Sequence, residues 1–565
     1  MIEFSESNKA VKKTLIILLI TSVSAFSQLP LDSIKFIIKR AVENKRCPGM
    51  VVGIINEKGK QVFGYGKING NNTQQADENT LYDIGSVTKI FTSLVLADMV
   101  SKGELNLNDP ISKFLPKSVK VPIRNGREIT LLDLATHTSG LPRQIDNSKP
   151  KDLNNPYADY TTEKLYDFLS HYTLTRDIGS KYEYSNIGVG LLGHILTLVA
   201  GKDYETLVIK RICEPLKMNS TLITLTLELR KRFATGHDAD GNVVKNWDFS
   251  ALAPCGALRS TLSDLLTYAE ANMGLMKTNL EPAIKLTHHI RDSINPELYM
   301  GLGWHIWKKF GKQIYWHDGN VGGYYAYFGF DLKHKTAVVV LSNSDNRIDD
   351  IALHILDRRF PVNHLEKIVS VPDSVLKKYA GIYKKDDGTI RVIAMKDSNL
   401  WFKSPSQGIS GKMHFTSNID YFTYLFPNEH SIYVDNLGKV IGLMSKGKGG
   451  SLFAKRVDSL DLSFDGYNGL AWDALEAKDY NSALLYLQRG LKKDSSNLFL
   501  LGNLAHTYLF TGNYTKAIEI YKKHLGQNLN NNFSWEEMIK SDFTTLKADG
   551  LPIEPMDKVL KELNL

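Results

Sequence analysis

The sequence predicts an α+β domain over residues 28–362, a small all-β module over 372–457 and a helical repeat segment over 463–565, behind a signal peptide at 1–27. Three patterns carry that expectation. Strand-like stretches lie at both ends of the first segment, with helical periods between them. A run of short strands with Gly, Asn and Asp turns follows. A helical pattern recurring at a fixed spacing ends the chain. At 565 residues the chain is too long for a single hydrophobic core, so two to four domains are expected.

The N-terminus comes first. Lys9, Lys12 and Lys13 precede the apolar run "TLIILLITSVSAF", and Ala25 and Ser27 are small residues at a plausible cleavage point after Ser27. That is the pattern of a signal peptide, and it implies a secreted or periplasmic bacterial protein. The run is short for a spanning helix, so an uncleaved anchor is the alternative and no stable span is expected after cleavage. Cys47, Cys213 and Cys255 are odd in number and far apart, which gives neither a disulfide framework nor a CxxC metal site. The net charge of +8 comes without basic blocks interleaved with aromatics, so a nucleic-acid partner is not expected.

"MVVGIINEKGKQVFGYGKI", Met50 to Ile68, alternates around a Glu-Lys-Gly-Lys turn and reads as a β-hairpin. "GYGKING" has the wrong spacing for a dinucleotide loop and opens no helix. Helical patterns follow at Ser86–Lys102, Thr130–Thr136, Ile187–Ala200 and Thr261–Met273. Tyr324 to Ser344 gives two strands around a Lys-rich turn, and Ile348 to Phe360 a closing helix. The sheet is therefore expected to join the two ends of this segment. From Leu376 to Val457, "YAGIYK", "IRVIAMK", "NLWFKS" and "SIYVDN" are among the short strands of a barrel or sandwich. In the last segment Leu470 matches Leu504, Ala471 matches Ala505, Tyr480 matches Tyr514 and Ala483 matches Ala517, always 34 residues on, the tetratricopeptide period. Two such repeats cannot bury their faces alone, so Trp535–Leu563 is expected to supply capping helices, and the repeats offer a surface to a protein partner.

The chemistry concentrates at "LYDIGSVTKIFTSLVLADMV", Leu81 to Val100. Ile84, Val87, Ile90, Phe91, Leu94 and Leu96 give this helix an apolar face. Ser86 stands at its entrance and Lys89 one turn on, at the end where the helix dipole disfavours a cation. Residues three apart share a helix face, so Lys89 can reach the Ser86 hydroxyl. Burial and the positive helix end favour a neutral amine that can accept a proton. The motif alone is weak, since Ser148–Lys151, Ser374–Lys377 and Ser445–Lys448 also match, in loop or β contexts. Two later stretches strengthen it. In "KYEYSNIGVG", Tyr184 and Asn186 lie in a tight turn before a helix and can both point into a cleft. A phenol beside a cationic Lys is expected to have a lowered pKa and to relay protons. In "IYWHDGNVGGYYAYFGF", His317-Asp318-Gly319 lies at a strand end before glycines that leave room for a substrate. "THHIRD" lacks a third ligand and helical i, i+4 spacing, so no metal is expected.

The order Ser-x-x-Lys, Tyr-x-Asn, His-x-Gly resembles the serine β-lactamase and penicillin-recognising family. It is most similar to the branch of class C β-lactamases, D-alanyl-D-alanine carboxypeptidases, D-aminopeptidases and esterases. "LLDLATHTSGLP" and "PCGALRSTLSDL" add to the resemblance, which spans most of Leu31 to Pro361. It implies a β-lactamase/transpeptidase-like domain, an antiparallel sheet with helices. It further implies Ser86 as the acylated nucleophile, Lys89 as its base or charge partner, and Tyr184 as the proton shuttle. Asn186 would bind the acyl side-chain amide or orient Lys89, and His317 would sit across the cleft. The backbone N–H groups of Ser86 and Asn320 would form the oxyanion hole beside Gly319. His137 and Arg143 would flank the cleft as structural residues. The β-lactamases usually carry Lys-Thr-Gly as the third motif. A neutral His317 with an anionic Asp318 serves a substrate carboxylate less well, which favours a peptidase or esterase over a β-lactamase proper. No cofactor is needed. A non-catalytic binding protein acting through its repeats is the reading from another class.

Overall fold

The computed structural model describes residues 29–565 except 70–73, 144–146, 148–149, 153, 364, 387–388, 397, 405–408, 424–425, 448–449, 458–463, 477, 531–532 and 549. The segment read as a signal peptide therefore lies outside the described residues. No described helix is long and apolar enough to cross a membrane. The chain divides into two compact units, one up to Lys367 and one from Ile368.

The first unit is built on an eight-stranded sheet. Its strands are β1 (Gly49–Asn56), β2 (Gly59–Gly66), β3 (Asp292–Asn295), β4 (Leu298–Met300), β5 (His305–Lys309), β6 (Lys312–Val321), β7 (Tyr324–Asp331) and β8 (Thr336–Ser342). They run in the order β2-β1-β8-β7-β6-β5-β4-β3, and every neighbouring pair is antiparallel. The β1–β8 pairing, Met50 opposite Ser342 through Ile55 opposite Ala337, joins the two ends of the segment as expected. Both faces of this sheet are covered. Met50, Val52 and Ile54 pack with Val338, Val340 and Tyr325 against the helices α1 (Leu31–Glu43) and α5 (Asp349–Leu356). Val51, Ile55, Phe328, Val339 and Leu341 face the large core around α2 (Thr88–Ser101), α3 (Asn186–Ala200) and α4 (Leu262–Asn272). Two covered faces explain why β7 and β8 read as unbroken apolar runs rather than as alternating strands.

Helix α2 departs from the amphipathic reading. Every residue from Thr88 to Met99 is buried, including Lys89, Thr92, Ser93 and Asp98. It is the central helix of the unit, so it carries no solvent face. A short 3-10 turn, Gly85–Val87, leads into it.

In the second unit, nine strands form one meander whose edge strands, Ile409–Lys412 and His414–Phe415, are separated by Met413 alone, a nearly closed barrel-like sheet. Four helices follow, at Phe464–Glu476, Tyr480–Lys493, Leu498–Phe510 and Tyr514–Lys523, with Ala471, Ala505, Ala483 and Ala517 fully buried between them. Trp535–Ala548 and Ile553–Leu563 cover the last repeat through Trp535, Ile539, Phe543, Met556 and Val559. The sheet and the helices share a core, in which Val392 packs with Tyr467, Leu470, Leu487 and Leu500.

Candidate active site

Ser86 sits where a short strand turns into α2. Leu81–Asp83 pairs with Arg259–Thr261, and within that ribbon Arg259 forms an ion pair with Asp83 at 2.8 Å, both nearly buried. Gly85 turns the chain with φ +48°. A Cβ there would meet the backbone nitrogen of Asn320 at 3.1 Å, so the turn lies directly against β6. Gly319 makes the approach possible from the other side. Its Cβ would fall 2.9 Å from the Ser86 nitrogen and closer still to the Ile84 carbonyl. The amides of Ser86 and Asn320 are thereby brought to one place, and Ser86 alone in the stretch 81–90 keeps surface open.

Lys89 is fully buried. Its Nζ lies 3.0 Å from Ser86 Oγ, 2.9 Å from Asn186 Oδ1 and 2.7 Å from the carbonyl oxygen of Cys255. Burial pulls its pKa down to about 8, with the nearby charge of Arg143 acting in the same direction. The matching motif at Ser374–Lys377 lies on a helix, Asp373–Tyr379, not in a loop. Both of its side chains are exposed, so burial of the lysine distinguishes Ser86–Lys89 where helix position does not. Ser445 lies on a strand, while Ser148 and Lys448 are outside the described residues.

Tyr184 is partly buried above this pair, its ring centroid 4.9 Å from Lys89 Nζ. The expected lowering of its pKa is not found. Burial raises it, and a hydrogen bond with the Ser86 side chain only partly offsets this, so the phenol stays protonated at neutral pH. Asn186 is the first residue of α3, not its cap. Ser185 takes the capping role, its Oγ accepting from Gly188 N at 2.9 Å, which frees the Asn186 amide for Lys89. His137 pins this turn from below. It adopts φ +60°, its Nδ1 accepts from Ser185 N at 3.1 Å and its carbonyl accepts from Glu183 N at 2.8 Å.

His317 is neither at a strand end nor on the surface. It lies within β6, opposite Phe328 of β7, and is 1% exposed. Its Nδ1 donates to the Asp318 carbonyl at 2.6 Å, and its Nε2 is buried without a partner. Burial, with His305 and Lys89 nearby, holds its pKa well below the usual value, so it is neutral. Asp318 points to the opposite face of the strand, where its carboxylate accepts from Tyr325 Oη at 2.7 Å and stands 4.0 Å from Arg347. The reading of Asp318 as an anion added to the cleft is therefore corrected. Strand parity sends neighbours to opposite faces.

Two groups escaped sequence reasoning. His305 of β5, next to β6, stacks on Trp316 at 4.8 Å, lies 5.2 Å from His317 and bonds the Tyr182 hydroxyl at 2.9 Å. Burial lowers its pKa to about 4. The carbonyl of Cys255, which holds Lys89, is a backbone atom with no side-chain signature. The register of the β5–β6 hairpin, Lys309 opposite Lys312, is what brings His305 opposite Trp316.

Comparison with known proteins gives consistent results. The beta-lactamase family model matches residues 34–358, and a tetratricopeptide repeat model matches 474–534. A beta-lactamase of Pseudomonas fluorescens is 30% identical over 275 residues, 48% of this chain and 72% of that one. A D-alanyl-D-alanine-carboxypeptidase/endopeptidase, AmpH, of Escherichia coli (strain K12) is 34% identical over 177 residues, 31% of this chain and 45% of that one. The structure of a class C beta lactamase from Rhodobacter sphaeroides superposes with a TM-score of 0.51 at 22% identity, covering 57% of this chain and 98% of that one.

Proposed function

The chain belongs to the beta-lactamase family, and on that premise we propose that it is a serine hydrolase that cleaves an amide or ester through an acyl-enzyme on Ser86. The observation that carries the reading is the environment of Lys89. Two of its three neighbours, Asn186 Oδ1 and the Cys255 carbonyl, can only accept hydrogen bonds. A neutral amine has two N–H groups and one lone pair. The two acceptors take the N–H groups, and the lone pair is left for the Ser86 hydroxyl, 3.0 Å away. Lys89 is then the base that takes the Ser86 proton as the oxygen attacks the carbonyl carbon. The amides of Ser86 and Asn320 receive the developing oxyanion. Protonated Tyr184 donates to the leaving group and is reprotonated by the proton Lys89 took; neutral Lys89 then accepts a proton from the water that attacks the ester and returns it to the departing Ser86 oxygen.

Within this reading, a D-amino-acid peptide or a carboxylic ester is favoured over a β-lactam as substrate. Neutral, buried His317 supplies no cation at the third motif itself, where the lactamases usually carry one. The relatives include proteins named beta-lactamase and others named D-alanyl-D-alanine-carboxypeptidase/endopeptidase, so a β-lactam is the second substrate to assay. Export through the N-terminal segment, and use of the repeats to hold a protein partner, are parts of the same proposal. Turnover of p-nitrophenyl esters, nitrocefin and D-alanyl peptides by the purified protein tests it. Activity on at least one class should vanish in Ser86→Ala with the fold unchanged. Undiminished turnover by that variant would refute the assignment.

A further inference from the structure

Arg143 stands at the mouth of the site. Its carbonyl accepts from the Asn186 nitrogen at 3.1 Å, and the preceding carbonyl, of Pro142, accepts from Ser185 Oγ at 2.7 Å. The backbone is thus tied to the turn that carries Tyr184 and Asn186. Its guanidinium carbon lies 4.9 Å from the Tyr184 ring centroid, the same distance as Lys89 Nζ. Unlike Lys89, Arg143 is exposed. Among the described residues no carboxylate pairs with it: Glu183 is taken by Arg176 at 2.7 Å, and Asp318 by Tyr325 on the far face of β6. A cation stacked on an aromatic face keeps its in-plane N–H groups free, and a guanidinium presents them as a fork that matches a carboxylate. Lys89 cannot serve, because its hydrogen bonds are committed, and His317 is neutral.

We propose that Arg143 is the specificity residue that binds a carboxylate on the substrate, doing from the Tyr184 side what the neutral third motif does not. The substrate class is an acidic one, a peptide or ester bearing a free carboxylate near the scissile carbonyl. This rests on the serine hydrolase reading. The test measures how well ligands protect Ser86 of the full chain from a neutral fluorophosphonate. Two acid–amide pairs are used: N-acetyl-D-alanyl-D-alanine and its carboxamide, with the charge on the leaving-group side, and N-succinyl-D-alaninamide and its succinamoyl twin, with it on the acyl side. In at least one pair the acid should protect at a concentration tenfold or more below the amide. Arg143→Gln should bring that ratio to about one, and Arg143→Lys, which keeps the charge without the fork, should fall between. If Arg143→Gln does not label, the Lys variant alone decides. No acid preference in either pair, a preference that survives Arg143→Gln, or an undiminished ratio in Arg143→Lys overturns the assignment. Failure of Ser86 to label in the wild type overturns the hydrolase reading and this inference with it. Labelling with equal protection by acid and amide overturns this inference alone.

Discussion

At single residues the proposed mechanism is a matter of protons. A Lys89 that titrates near pH 8 accepts the Ser86 proton only when neutral. Its folded pKa lies below the ordinary 10.5, so the competent form accumulates as pH rises. The rate kcat/KM should therefore climb through about pH 8 and level off above it, and Arg143→Gln, which removes a charge that lowers this pKa, should move the midpoint upward. A profile flat from pH 6 to 10 would remove Lys89 from the role of base. Tyr184 carries the opposite shift. Burial keeps the phenol protonated, which suits the proposed role of acid, and Tyr184→Phe should then slow turnover by roughly 10²-fold or more with little change in KM. An untouched kcat would make Tyr184 a packing residue. The pairing of Ser86 with Lys89 was legible in the sequence because three residues on a helix fix one face. The direction of the Tyr184 shift was not, since burial is a property of the surrounding fold and here it outweighs the lysine.

At the scale of elements the site is a junction between the entry to α2 and the strand β6, and glycine sets its width. Gly319→Ala would push a methyl onto the Ser86 amide and the Ile84 carbonyl. On the proposed oxyanion role, loss of one donor costs on the order of 10²–10³ in kcat, so the folded variant should label slowly with fluorophosphonate and turn over at that reduced level. Wild-type kcat would show that β6 does not shape the oxyanion site. The hairpin at Met50–Ile68 and the β7–β8 pair were readable from their turns and runs of apolar residues. The facing of β6 was not. A one-residue shift of parity exchanges His317 with Asp318, and only pairing with β5 and β7 places His317 beside Tyr184 and sends Asp318 to Tyr325. Likewise α2 looks amphipathic by its leucines and isoleucines, yet covering layers bury Lys89 with the rest.

For the whole molecule, each proposed catalytic residue falls in the unit that ends at Lys367. A fragment of residues 29–367 should fold and keep acylation of Ser86, and loss of labelling in a folded fragment would give the second unit a part in the site. Within that second unit the sheet and the repeats share the cluster around Val392, Leu470 and Leu500. Residues 368–565 should therefore unfold in one thermal transition, and Leu470→Ala should destabilise sheet and helices together by about 2–5 kcal/mol. Two separate transitions would make them independent modules. The 34-residue period was legible because identical helix pairs need identical small residues where they touch. The shared core was not, because it joins a strand to a helix more than seventy residues away, Val392 to Tyr467.

The proposed mechanism stands or falls with Ser86 as a nucleophile activated by Lys89. Intact-mass measurement after treatment with a fluorophosphonate, followed by peptide mapping, tests it most directly. A single adduct on Ser86 is expected, absent in Ser86→Ala and slowed at least tenfold in Lys89→Ala. An unmodified protein, or an adduct that persists in Ser86→Ala, would contradict it.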